Sequence, residues 1–122
     1  MADYNVSKST WAQDKGLHPH SGRTAGDGRI SPAFEQAVAD TFQELQTLLI
    51  SKHIDYGPKN ISESPGGPIN GLRVRMHDKL ARINNLVDNG TDPEHESLED
   101  SFKDMANYAI IGLLVLRNKW SR

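Results

Sequence analysis

From Phe34 onward the apolar residues return at helical spacing. Phe34, Val38, Phe42, Leu45 and Leu49 lie three or four apart, which predicts one buried stripe of an amphipathic helix. Ser31-Pro32 supplies an N-cap followed by proline at the first helical position, so this helix opens there and runs to about Ile54. Gly57 tolerates a left-handed conformation and Pro58 lacks the amide hydrogen a further turn requires, so the two end it. From Gly57 to Pro68, with Gly66-Gly67-Pro68 near its end, the sequence predicts a loop. A second helix is expected from about Asn70 to Val87 on the stripe Leu72, Met76, Leu80, Ile83 and Val87, with Asn89-Gly90 as its stop.

The third helix begins near Ser97, where Asp100 three positions on completes a short capping box, and it continues to about Asn118. Leu98, Phe102, Met105, Ala109, Leu113, Leu116 and Trp120 form its main stripe, while Ile111, Leu114 and Val115 cover another side. A helix apolar on two faces is buried on both, and with three long helices available the second face should meet another subunit. The expected fold is all-α: three long helices running up, down and up in an oligomeric bundle. Residues 1–30 carry Trp11 but no sustained apolar period, and they predict a mobile arm ahead of a helical domain over 31–122. His18 and His20 in that arm flank Pro19 and are read as solvated rather than as metal ligands.

Composition narrows the functional classes. Fourteen basic and sixteen acidic residues give a formal charge of −2, without the basic excess that non-specific nucleic-acid binding shows. The chain has no cysteine, so disulfides and thiolate metal sites are excluded. It has no apolar run of membrane-spanning length and no signal-like N-terminus, so the cytoplasm is expected, a host's if a phage encodes the chain.

The densest chemistry lies in Lys52-His53-Ile54-Asp55-Tyr56-Gly57-Pro58-Lys59-Asn60, at the end of the first helix. Asp55 is surplus to termination there and faces the negative end of the helix dipole, so it calls for a nearby cation or another role. On the third helix Asp100, Asp104, Asn107 and Ile111 share one stripe. Asp104 then sits among apolar neighbours, where a carboxylate must hold a metal, meet Lys or Arg, or be protonated. Glu44, Asp100 and Asp104 are the candidate magnesium ligands, a hard cation that wants oxygen donors. Lys79 and Arg82, three apart on the second helix, are candidates to grip a polyphosphate, against the plainer reading of an Asp78–Arg82 surface pair. At 1.5 Å per residue, Asp40 and Glu44, Lys79 and Arg82, and Asp100 and Asp104 are expected at similar heights. Asp55 falls about 16 Å beyond Glu44 by the same rise, so either the Asp55-Tyr56 end serves a separate role near Arg73 and Arg75 or, as the favoured reading, an antiparallel dimer brings it to a neighbour's acidic cluster.

Three motifs in order carry a resemblance: Lys52 to Gly57, Asp78-Lys79-Leu80-Ala81-Arg82-Ile83, and Ser97 to Asp104 followed by Met105-Ala106-Asn107-Tyr108-Ala109. Over about residues 45–118 the chain resembles the nucleotide modification associated domain family of the first type, small helical proteins frequent in phages. The helical layout is more weakly similar to MazG-like pyrophosphohydrolases, which hold magnesium with acidic pairs on adjacent helices. That likeness implies hydrolysis of a nucleoside triphosphate to monophosphate and pyrophosphate. The pattern departs from those enzymes, with spacings of four in both acidic pairs and Ser101 where a Glu is expected.

The reading is therefore a nucleotide-handling homo-oligomer, as a magnesium-dependent hydrolase in its sharper form. Asp104 and Asp55 would be catalytic, Glu44, Asp100 and Asp104 would hold the metal, and Lys52, Tyr56, Lys79, Arg82 and Asn107 would bind substrate. The alternatives are a binding module that holds a nucleotide or signalling molecule without turnover, and a purely structural helical interaction protein.

Overall fold

The computed structural model describes residues 28–90, 92–94 and 96–122, and among these it holds four helices and no strand. They are α1 (Pro32–Tyr56), α2 (Lys59–Ser62), α3 (Pro68–Asn89) and α4 (Leu98–Leu116). Most of the arm expected over residues 1–30, His18 and His20 included, lies outside the described residues. No helix among the described residues is long and apolar enough to cross a membrane.

Local chemistry sets the helix ends. The Ser31 hydroxyl accepts from the Phe34 N–H at 3.1 Å, with Pro32 in the first turn. At the other end Gly57 adopts φ 69° and returns its N–H to the His53 carbonyl at 2.8 Å. α4 starts on a full capping box: Ser97 Oγ accepts from the Asp100 N–H at 3.0 Å, and Asp100 Oδ2 accepts from the Ser97 N–H at 3.2 Å.

The segment expected as a loop contains the single helical turn α2. Pro58, at φ −83° and ψ −21°, starts it, and its carbonyl accepts from the Ser62 N–H at 3.0 Å. One turn is too short for an apolar period, so only Ile61 could have marked it. Ile61 is the most buried hydrophobic residue among the described residues, at 1% exposure. α3 can approach the end of this turn because residue 71 is glycine: a Cβ there would lie 2.4 Å from Ser64 Oγ.

α3 and α4 run antiparallel. Gly112 lies beside Leu72, Asp104 meets Lys79, and Ser101 meets Arg82, so rising numbers on α3 match falling numbers on α4. α1 behaves differently. Glu44 pairs with Lys103 at 2.6 Å and Lys52 with Asp104 at 2.9 Å. Eight residues of α1, about 12 Å of axis, thus reach two adjacent residues of α4. α1 crosses α4 rather than lying along it, so the up-down-up course is traced only by the α3–α4 pair.

The core follows that crossing. Ile61, Leu72 and Ile111 form its centre, with Leu49, Ile69, Tyr108, Val115 and Trp120 packed around them. The stripes expected to be buried are corrected accordingly. No residue of α1 is buried, and Phe34 and Phe42 are 60% and 63% exposed, because the N-terminal half of the helix reaches past α4. On α3, Leu72 and Ile83 are buried but Leu80 and Val87 are exposed. On α4 the inward line is Ser101, Asn107 and Ile111, whereas Phe102 and Leu113 face outward. Replacing Ile61 with Ala should lower unfolding free energy by about 2–5 kcal/mol, while the exposed Val74→Ala should stay within about 0.5 kcal/mol. Urea denaturation of both variants checks the placement of the core.

Candidate functional site

Where the C-terminal end of α1 passes over α2 and α4, a cleft of about 200 Å³ opens. Helix periodicity brings Lys52, His53 and Tyr56 to it from α1, and α4 contributes Asp104, Asn107 and Tyr108. Asn60 and Ile61 of α2, Arg75 of α3 and Trp120 also line it. Trp120 reaches the cleft because the chain turns back after α4, with Asn118 at φ 54°, and its indole N–H donates to the Pro58 carbonyl at 2.9 Å. That contact ties the C-terminal segment to the start of α2.

Beside the cleft, Asp104 joins three helices. Its side chain is 13% exposed; Oδ1 accepts from Lys52 Nζ at 2.9 Å and Oδ2 pairs with Lys79 Nζ at 3.0 Å. Burial pushes the carboxyl upward, but the bonds from Lys52 and Lys79 and their charge outweigh it, so its pKa lies below the ordinary 3.8. The Lys52 ammonium is raised chiefly by its bond to Asp104. For Lys79, burial pulls downward and is overcome by Glu96 and Asp104. Lys79 also donates to Glu96 at 3.0 and 3.2 Å, so its three protons are committed.

Arg82 is equally occupied. It donates to Ser101 Oγ at 2.6 Å, to the Ser97 carbonyl at 3.2 Å and to the Glu96 carbonyl, which pins the approach to α4 against α3. The Asp78–Arg82 surface pair is thus replaced by contacts to α4. Asn107 donates from Nδ2 to the Leu45 carbonyl at 3.2 Å, closing the α1–α4 crossing. Of the substrate-binding candidates, Lys52, Tyr56 and Asn107 line the cleft, whereas Lys79 and Arg82 sit in the α3–α4 seam beside it.

The expected metal ligands are placed apart. Glu44 pairs with Lys103, Asp100 caps its own helix, and Asp104 is held by two lysines. Asp40 accepts from the Gln36 side-chain amide at 2.8 Å, one turn away on α1. Among the described residues no group of three or more His, Asp or Glu stands where it could hold a metal ion. These donors do not fit a magnesium centre as arranged. Asp55 is exposed on the last turn of α1 and is not part of the cleft lining.

Arg75, Asn60, Tyr108 and Trp120 were not among the residues picked from sequence. Arg75 donates to the Asn60 carbonyl at 2.9 Å and to Ser64 Oγ at 3.2 Å. Both partners are neutral, so Arg75 keeps its full charge at the cleft. Its charge was visible in the sequence, but its partner Asn60 belongs to a single helical turn that periodicity does not reveal.

Residues 69–116 match the family model described as nucleotide modification associated domain 1. The match takes in nearly all of α3 and all of α4, hence Arg75, Lys79, Asp104 and Tyr108, and leaves out Lys52, His53 and Asn60. No curated protein and no solved structure matches the chain, so the likeness to MazG-like enzymes has no counterpart in these comparisons.

The depressed carboxyl carries a pH signature. Because Asp104 binds its proton more weakly folded than unfolded, its stabilising contribution is complete above the unfolded value and is lost as pH falls through the folded one. Asp104→Asn should therefore be less stable than the parent at neutral pH, and the difference should shrink below pH 3.8. Denaturation at neutral and acid pH measures it.

Proposed function

We propose that the chain binds a nucleotide or nucleotide-like molecule in the cleft between α1, α2 and α4. The observation that carries the reading is the pairing of flat rings with cations in one small cavity. Tyr56, Tyr108, His53 and Trp120 offer ring faces and edges, and Lys52 and Arg75 offer N–H donors. A nucleobase has two apolar faces suited to such rings, and a phosphate takes charge-assisted bonds from lysine or arginine. Pockets for drug-sized ligands run to about 300–1,000 Å³; a cleft of about 200 Å³ suits a base inside and a phosphate at its open mouth. The family description over residues 69–116 points to the same class of ligand.

Binding without turnover is the favoured form of this proposal. Hydrolysis of a triphosphate with magnesium would need carboxylates to converge, and here Asp104, Glu44 and Asp100 are each committed elsewhere. Arg75→Met and Lys52→Met should each weaken adenosine monophosphate binding about tenfold or more, as expected for one lost charge-assisted contact. Calorimetry with the monophosphate and triphosphate checks this, and magnesium-dependent pyrophosphate release would restore the hydrolase reading. Unchanged affinity in both variants would remove the cleft from ligand binding.

A homodimer is the second part of the proposal, favoured by the projecting half of α1. Phe34, Val38 and Phe42 line one exposed apolar face of it. Two copies of α1 paired antiparallel would cover this face in both. Phe42→Asp should shift sedimentation from dimer to monomer; a parent protein that sediments as a monomer at micromolar concentration would end this part.

A further inference from the structure

Two hydrogen-bond acceptors at the cleft are buried and have no partner. They are His53 Nδ1 and Asn60 Oδ1. His53 Nε2 lies 2.7 Å from the Ser121 carbonyl oxygen, which can only accept, so Nε2 carries the ring hydrogen. In the neutral imidazole the Nδ1 lone pair is then bare. The ring cannot swing to satisfy it without losing two contacts, the Ser121 bond and the edge-on packing against Trp120 at 4.6 Å between centroids.

Asn60 is held just as firmly. Its carbonyl accepts from Arg75 Nη2 at 2.9 Å and from Ser64 Oγ at 2.8 Å, which fixes the turn that carries the side chain. Its Oδ1 is nonetheless left unpaired. Buried acceptors are normally bonded, and two bare ones beside one cavity mark a place where something else donates. Glu35 Oε2, the third such atom among the described residues, is on a residue outside the cleft lining.

We infer that His53 Nδ1 and Asn60 Oδ1 form an acceptor pair that selects ligands by their N–H or O–H donors, so that the cleft favours a nucleoside monophosphate over phosphate alone. This rests on the nucleotide reading above. An ionised phosphate accepts and does not donate, so it belongs to Lys52 and Arg75. Both acceptor atoms are closed to water, so the lining of the cleft shifts for the organic part of the ligand to reach them. Two groups on a nucleotide have the required chemistry, the sugar's vicinal hydroxyls and a base amino group.

Calorimetry of the full chain with adenosine 5′-monophosphate, its 2′-deoxy form, purine riboside 5′-monophosphate and inorganic phosphate distinguishes them. The adenosine nucleotide should bind at least tenfold tighter than one of the two analogues. Weakening by the deoxy form assigns the hydroxyls, and weakening by the riboside, which lacks the amine, assigns the amino group. His53→Phe and Asn60→Leu should erase that difference. In the unmodified protein the ¹⁵N resonance of His53 Nδ1 should move on saturation, a readout that does not depend on how the variants fold. Equal affinity for all three nucleotides with an unmoved Nδ1 resonance would overturn the inference. Absence of binding by every nucleotide would instead overturn the nucleotide reading itself, and this inference with it.

Discussion

A single carboxylate fixes how the helices meet. Asp104 stands on α4 with its side chain mostly buried, and it is tolerable there only because Lys52 of α1 and Lys79 of α3 each bond one of its oxygens. An unpaired carboxylate in that position would be strongly unfavourable, so the three helices share one electrostatic constraint. The constraint is directional as well as attractive. Two lysines must approach opposite sides of one group, which places α1 and α3 on either side of α4. Arg82 with Ser101 and Asn107 with Leu45 repeat the logic above and below it, each filling the inward face of α4 with a satisfied polar contact.

That polar line explains why the apolar stripes are not where helical periodicity puts them. On α4 the sequence offers two apolar faces and one polar stripe, and a binary reading turns the apolar faces inward. The structure turns Ser101, Asp104 and Asn107 toward its neighbours and leaves Phe102 and Leu113 half in water. The preference is reversed because the polar atoms are paired one to one, at which point their burial no longer costs what an unpaired group would. Below this line, at Tyr108, Ile111 and Val115, α4 meets hydrocarbon, against Ile61 and Leu72.

Helix existence was legible because caps and stops are written in a few residues. Ser31-Pro32, Gly57-Pro58, Asn89-Gly90 and the Ser97–Asp100 pair each act within one turn, where sequence neighbours are space neighbours. Asp104 was legible too, as a carboxylate in need of a cation, since its burial followed from its helix alone. Of its partners, Lys79 was expected at a similar height and Lys52 was not. Lys52 is fifty-two positions away, and only the angle at which α1 crosses α4 makes it the nearer choice over a metal. The same gap hid Asn60, Arg75 and Trp120: each depends on one short turn and one chain reversal, and neither has enough residues to show a period.

Charge at the cleft narrows what it can hold. Lys52 and Lys79 face Asp104 and Glu96, two positive groups against two negative ones, so this quartet presents little net field to an incoming anion. Arg75 has only neutral partners and keeps its charge. A triphosphate would bring several negative charges to one uncompensated cation, and the carboxylates nearby would repel the excess. A monophosphate brings far less. Lys52 is half exposed and can turn one proton outward without leaving Asp104, which adds a second donor for a single phosphate group. The same ion pairs that hold the helices together would therefore limit the charge of any ligand in the cleft.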